Sequence, residues 1–287
     1  MYGALYERDD LVAGWRDPRQ IATNAAMLEN ALVPFAHRGA LHHVSLLQGT
    51  KAYGAHLRPM QVPGRESDPR PAGANFYWEQ EDRVRELARE GSWSYSVLRP
   101  QAVCGHAVGS PMNLVIAIGV YAAVQRALGQ PLRFPGGTDY VTEVTDADLL
   151  GRAIHWAATT EACRGETFNV TNGDVLTWRA AVAAMAPVFG MDVAEPRPLC
   201  LAQSMPHYAH VWDRIVAEHR LQAPSMAALV GGSWQFADAA FGFGHEPHDT
   251  LVSTIKIRRF GFHECIDSLD MLRARLMNLQ SQRVLPR

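Results

Sequence analysis

Leu47-Gln48-Gly49-Thr50-Lys51-Ala52-Tyr53-Gly54, together with the apolar run His43–Leu47 that leads into it, is the stretch on which the fold turns. A run of that length, closed by Gln48-Gly49, has the flanks of a strand buried on both faces, the pattern of a parallel sheet. Lys51 then stands just past the strand's carboxyl end, where open α/β sheets bind their ligands. A second stretch, Asn75-Phe76-Tyr77-Trp78-Glu79-Gln80-Glu81-Asp82, opens a helix that runs to Arg89. Asn75 is its expected N-cap, and Glu79, Glu81 and Asp82 suit the first two turns. Tyr77 falls in the first turn and faces the same crevice as Lys51.

Working outward, Met1–Leu5 reads as the tail of a strand and Tyr6–Arg19 as a polar loop. Ile21–Ala36 has apolar residues at helical spacing (Ile21, Met27, Leu28, Ala31, Leu32). Residues 58–74 are rich in proline and charge and form a loop. Trp93–Leu98 reads as a second buried strand, ended by Arg99-Pro100. Then follow a strongly apolar helix (Pro111–Leu128), a short strand (Leu132–Phe134), a helix (Thr145–Thr159), a strand (Glu166–Val170) and a helix (Trp178–Phe189). This alternation predicts βαβ units, an α/β protein with a Rossmann-type parallel sheet and flanking helices. Beyond residue 190 the pattern is irregular and mainly helical, which suits a smaller C-terminal substrate lobe. The expected division is therefore 1–190 and 191–287.

Composition narrows the partners. The chain has 287 residues, 47% hydrophobic and 20% charged, with a formal net charge of -2. That balance gives no reason to propose nucleic acid or an anionic membrane surface, and favours a small molecule. The longest apolar stretch, Leu114–Val124, is far short of the roughly 20 residues that cross a bilayer. Cys104, Cys163, Cys200 and Cys265 are scattered, with no C-x-x-C, and read as reduced, mostly buried thiols of a cytoplasmic protein. His207/His210 and His245/His248 lack a nearby third ligand and read as surface histidines, so no metal is expected.

A cationic lysine beside a phenol favours the phenolate and lowers its pKa from about 10. The phenol can then donate to, or stabilise, an oxyanion during hydride transfer. On spacing alone the plainer reading stands beside this one: Lys51 a solvated loop residue, Tyr77 a half-buried helix residue. For Val115 and Ile116, spacing favours core over pocket, while Met112 could belong to either.

The two opening stretches also carry a resemblance, with Leu98-Arg99-Pro100, Met112-Asn113-Leu114, Val120-Tyr121-Ala122, Asp146-Ala147-Asp148-Leu149 and Phe168-Asn169-Val170-Thr171-Asn172-Gly173-Asp174. In that order they resemble the progesterone 5β-reductase and iridoid synthase-like family of the extended short-chain dehydrogenase/reductase superfamily. In that family the catalytic lysine precedes the tyrosine on a different element, whereas the superfamily usually places both on one helix. The resemblance implies catalytic roles for Lys51 and Tyr77 and a nicotinamide site lined by Pro100, Gln101, Ala102 and Val103. It makes Trp78 a substrate-pocket wall and Met112 a second substrate-side residue. The implied reaction is 1,4-reduction of an α,β-unsaturated carbonyl by NADPH, with Tyr77 holding the enolate oxygen.

One expected part is missing from the 287 residues. A dinucleotide-binding half opens with a strand, a glycine-rich turn and a helix whose N-terminus grips the pyrophosphate. Neither G-x-G-x-x-G nor G-x-x-G-x-x-G occurs. The family match begins at what would be an internal strand, so about two βα units would precede Met1, at about 30 residues per unit. A start site placed too late explains this best, because the retained motifs look undamaged. Cofactor binding by this chain is then doubtful, and the sheet edge left unpaired invites association as a homodimer. The alternatives are a nucleotide-sugar epimerase or dehydratase, which predicts a Y-x-x-x-K helix that is absent after Gly49, and a truncated, non-catalytic binding protein.

Overall fold

The structure, a computed structural model, describes residues 1–36 and 41–287. Its main elements in chain order are α1 (Pro18–Ala36), β1 (His43–Leu47), α2 (Phe76–Glu90), β2 (Ser94–Pro100), α3 (Leu114–Ala127), α4 (Ala147–Thr159), β3 (Thr167–Val170), α5 (Trp178–Met185), α6 (Ala209–Glu218), α7 (Ser233–Ala240) and α8 (Ser268–Ser281). Two compact units form. The first comprises Met1–Ala102, Glu143–Gly173 and Thr250–Cys265; the second comprises Val103–Thr142, Asp174–Asp249 and Ile266–Arg287. Each is assembled from separated chain segments, and residue 190 lies inside the second.

In the first unit β1, β2 and β3 form a parallel sheet in that order, Leu47 standing opposite Leu98 and Pro100 opposite Val170. The near-continuous apolar character of β1 follows from burial on both faces. Val44, Leu46 and Val97 join Leu28 and Leu32 of α1 and Val84 and Leu87 of α2 in one core. On alternate positions Phe168 meets Trp156 of α4, the rings 5.3 Å apart. The strand tail expected at Met1–Leu5 reduces to one bridge. The Tyr2 N–H donates to the Ser45 carbonyl at 2.8 Å, and the Leu47 N–H to the Tyr2 carbonyl at 3.0 Å. The expected loop before α1 carries a short helix at Leu11–Gly14, capped by Asp10, whose side chain accepts from the Ala13 N–H. That local cap is the signal a period search overlooks.

Charge is buried where β1, β2 and α2 meet. The Glu81 side chain is 2% exposed, and its carboxylate receives Arg99 Nη2 at 3.2 Å, Arg85 Nη2 at 2.5 Å and Arg70 Nη2 at 3.6 Å. Gln48 Nε2, just past β1, donates to the same carboxylate at 3.1 Å and to the Tyr77 carbonyl at 2.9 Å. Gln48 Oε1 in turn accepts from Arg99 Nε at 2.9 Å. The carboxylate is thus compensated by three guanidinium groups and an amide, the condition under which a buried charge is tolerated, although Arg85 Nε itself has no partner.

The second unit is organised on α3. Leu114 through Val124 are all buried, as a helix apolar on every side must be, so Val115 and Ile116 are core. The helix starts at Leu114 and not at Pro111, because Asn113 caps it and accepts from the Ile116 N–H at 3.1 Å. Gly119 lets the C-terminal segment in: a Cβ there would lie 2.5 Å from Leu285 Cδ1. Asp174 accepts the Ser268 N–H at 2.9 Å at the start of α8, and Thr177 caps α5. Of the four cysteines, Cys104 and Cys163 are buried, Cys200 is half-buried and Cys265 is exposed. Among the described residues no helix is long and apolar enough to cross a membrane.

Two predictions follow from the first unit. Glu81→Gln leaves the Arg99 guanidinium without its counter-charge in the core, so it should cost about 3–5 kcal/mol in urea unfolding. A loss under about 1 kcal/mol would show the network to be dispensable. The second concerns acid. His43, with Ser94 Oγ and Ser96 Oγ on its two ring nitrogens, has its pKa lowered by burial first. Burial also takes His56 from 6.5 to about 4, helped by the charges of Lys51 and Arg16. Both rings are neutral when folded and take up protons on unfolding. Their contribution is complete above the ordinary 6.5 and is lost as the pH falls toward about 4. Melting temperature in His43→Gln/His56→Gln should therefore depend less on pH across that window; an unchanged slope refutes the assignment.

Candidate active site

β1 ends at Leu47, and the chain turns at Gly49 into a single 3-10 turn, Thr50–Tyr53, which carries Lys51. Tyr77 sits in the first turn of α2. One side chain joins them. Asn75 Oδ1 accepts from the Tyr77 N–H at 3.0 Å, the N-cap bond expected from the sequence, and Asn75 Nδ2 donates to the Lys51 carbonyl at 2.6 Å. Trp78 adds a second tie, its indole N–H donating to the Ala52 carbonyl at 3.1 Å. Trp78 is thus buried and fastens α2 to the lysine turn.

The phenol lies over Gly49. A Cβ at that glycine would stand 3.8 Å from the Tyr77 hydroxyl and 3.3 Å from the Pro100 carbonyl. The tighter of the two is the Pro100 carbonyl, so the bare backbone at 49 eases the approach of β2's end, while the hydroxyl sits at ordinary contact distance. Sequence reading quoted Gly49 only as part of a motif, because nothing in a single sequence tells a close-approach glycine from a turn glycine.

Lys51 is enclosed, its side chain 13% exposed. Nζ stands 4.0 Å from the centroid of the Trp15 ring and 3.6 Å from Glu7 Oε1, and has no hydrogen-bond partner. Burial pulls its pKa from 10.5 to about 8, a fall that the Glu7 carboxylate opposes. Tyr77 moves the other way: burial pushes its pKa well above the ordinary 10, and the Glu7 charge adds to the rise. This corrects the expectation that Lys51 lowers the phenol's pKa. Desolvation is the larger effect here, and the charge that acts on the phenol is the Glu7 carboxylate. The phenol is neutral, a hydrogen-bond donor.

Of the nicotinamide-side residues, Pro100 and Gln101 are buried, Ala102 is half-buried and Val103 is exposed. The Gln101 N–H donates to Thr145 Oγ1 at 3.0 Å, and its side-chain amide to the Thr250 carbonyl at 3.3 Å. Met112, half-buried, and Val103 belong to the second unit; Lys51, Tyr77, Trp78 and residues 100–102 belong to the first. Sequence reading missed Glu7, Trp15 and His56. They sit in segments without periodicity, where an acidic or aromatic residue carries no positional signal.

Comparison with known proteins agrees with the architecture. Residues 12–230 match the profile of the PRISE-like Rossmann-fold domain. An (S)-8-oxocitronellyl enol synthase from Camptotheca acuminata is 32% identical over 261 residues, covering 86% of this chain and 66% of the relative. A 3-oxo-Delta(4,5)-steroid 5-beta-reductase from Arabidopsis thaliana is 32% identical over 254 residues, covering 83% and 63%. The chain thus spans about two thirds of the length of these curated relatives. Among solved structures, RMD from Pseudomonas aeruginosa complexed with NADPH has a TM-score of 0.63 at 17% identity, covering 98% of this chain and 80% of its own. A UDP-glucose 4-epimerase from Thermotoga maritima has 0.62 at 16%, covering 96% and 76%. At such identities the structures speak for the fold alone. The sequence matches go further, and by them this chain belongs to the PRISE-like Rossmann-fold family.

Proposed function

We propose that the chain is the catalytic part of an NADPH-dependent reductase of the short-chain dehydrogenase/reductase type that reduces α,β-unsaturated carbonyl compounds. The observation that carries this reading is the half-buried Tyr77 phenol, tied through Asn75 to the Lys51 turn and lying beside Gly49 at the carboxyl ends of β1 and β2. In 1,4-reduction, negative charge gathers on the carbonyl oxygen as the β-carbon accepts hydride. A neutral donor placed beforehand in a dry site stabilises that charge without reorganising. A phenolate in its place would repel it. Lys51 supplies a fixed positive charge near the same strand ends and acts as an electrostatic partner.

The residues fit the nicotinamide side of NADPH, which when bound supplies the hydride. Lys51 Nζ is buried without a hydrogen-bond partner, and Gly49 brings bare backbone to the phenol. The run Pro100, Gln101, Ala102 and Val103 would line the nicotinamide. The Gln101 backbone N–H is engaged by Thr145 Oγ1 and one of its two side-chain N–H groups by the Thr250 carbonyl. Within the first unit Trp78, next to Tyr77 on α2, would form the substrate-side wall. The relatives named as an enol synthase and a steroid 5-beta-reductase support a small carbonyl substrate.

The test is NADPH oxidation with a cyclic enone and with an α,β-unsaturated aldehyde. Tyr77→Phe should lower kcat by about 100-fold or more, the usual cost of one oxyanion donor. Lys51→Met should do likewise, with both variants remaining folded by circular dichroism at the assay temperature. Near-normal turnover in both variants refutes the roles given to Lys51 and Tyr77.

A further inference from the structure

Glu7 has no role in the reaction as described, yet it is a firmly held carboxylate within ion-pair reach of Lys51. Its side chain is 7% exposed. Oε1 accepts from Trp15 Nε1 at 3.3 Å and Oε2 from Gln20 Nε2 at 2.6 Å. Its chain neighbours are tied to α1 as well. The Tyr6 N–H donates to Asn24 Oδ1 at 2.8 Å, Asn24 Nδ2 donates back to the Tyr6 carbonyl at 2.9 Å, and the Arg8 N–H donates to Gln20 Oε1 at 3.1 Å. Gln20 and Asn24 are fully buried. An exposed ion pair with this spacing would be worth little. Here both partners are enclosed, the carboxylate is fixed by two donors, and the amine has no other acceptor.

We propose that Glu7 is a positioning residue of the Lys51–Tyr77 site: its clamped carboxylate fixes the Lys51 ammonium over the Trp15 ring and supplies its counter-charge. The inference rests on the reading of Lys51 and Tyr77 given above and adds a third member to it. The ammonium is confined between an aromatic face 4.0 Å away and a carboxylate 3.6 Å away, so its direction is set by α1 and not by its own flexible stem. The charged and titratable groups around the amine are Glu7, His56 and Arg16, and His56 is held neutral by burial and the two cations. Glu7 is thus the group that opposes the loss of charge burial would cause. Its carboxylate also disfavours ionisation of Tyr77, so the same residue keeps the amine charged and the phenol neutral.

The sequence makes the test clean, because Lys51 and Lys256 are the two lysines of the chain. Carbon-13-labelled lysine in the 287-residue protein gives two side-chain titrations, with Lys256, ion-paired to Glu166, as internal control. The wild-type Lys51 signal should titrate near pH 8. In Glu7→Gln the midpoint should fall by about one unit or more, as expected on losing an opposite charge within about 4 Å. Lys256 should not move, and Glu7→Asp should restore part of the shift. If Glu7→Gln fails to fold, Glu7→Asp reads the same quantity: a midpoint below that of wild type supports the inference and an unchanged one overturns it. The Lys51-linked limb of the kcat–pH profile should move with the midpoint, with KM nearly constant. An unchanged Lys51 titration in folded Glu7→Gln sinks the inference whatever the activity. Absent enone reduction with the shift present overturns the reading of the site instead.

Discussion

A carboxylate with almost no access to water is the constraint on which the first unit depends. Glu81 of α2 must be met by positive charge, because an isolated buried anion costs far more than a fold can carry. The partners come from α2 itself (Arg85), from the loop before it (Arg70) and from β2 (Arg99), with Gln48 completing the set from the end of β1. Parallel strands have no hairpin to fix their relative height. Here the charges do it, and the helix carrying Tyr77 is set at the same height by the same contacts.

The chemistry of the site follows from how that frame excludes water. Enclosure acts on the two candidate residues in opposite senses, lowering the amine's pKa and raising the phenol's, because in each case the charged form loses solvation. The Glu7 carboxylate lies within reach of both groups, opposing the amine's loss of charge and the phenol's ionisation. What results is a neutral donor and a compensated cation, suited to receiving negative charge as it develops.

Much of the frame was legible in the sequence, and the reasons are specific. His43–Leu47 stands as read, because a five-residue apolar run closed by Gln48-Gly49 admits few alternatives. Asn75 caps α2 as read, since side-chain capping is local. Two things were not legible. The sign of the Tyr77 shift depends on how much water reaches a hydroxyl, and no residue pattern encodes that. Glu7, Trp15 and Gln20 converge on Lys51 only after α1 is laid beside the lysine turn, so their roles come from tertiary packing. The interleaving of the two units is illegible for a similar reason: residues 143–173 return to the first unit, completing its sheet with β3.

The Asn75 amide has a consequence for motion and for length. One planar group links the Lys51 carbonyl to the Tyr77 N–H, so the backbones of both residues are displaced together when either moves. Their separation is set across that link and not along the chain. The proline-rich span 58–74 between them is tied down by bonds of its own, Arg70 to Glu81 and Gly64 to Leu251 and Ser253. Pair and span are therefore held by separate sets of contacts, and the register of amine and phenol does not have to be carried through the intervening residues.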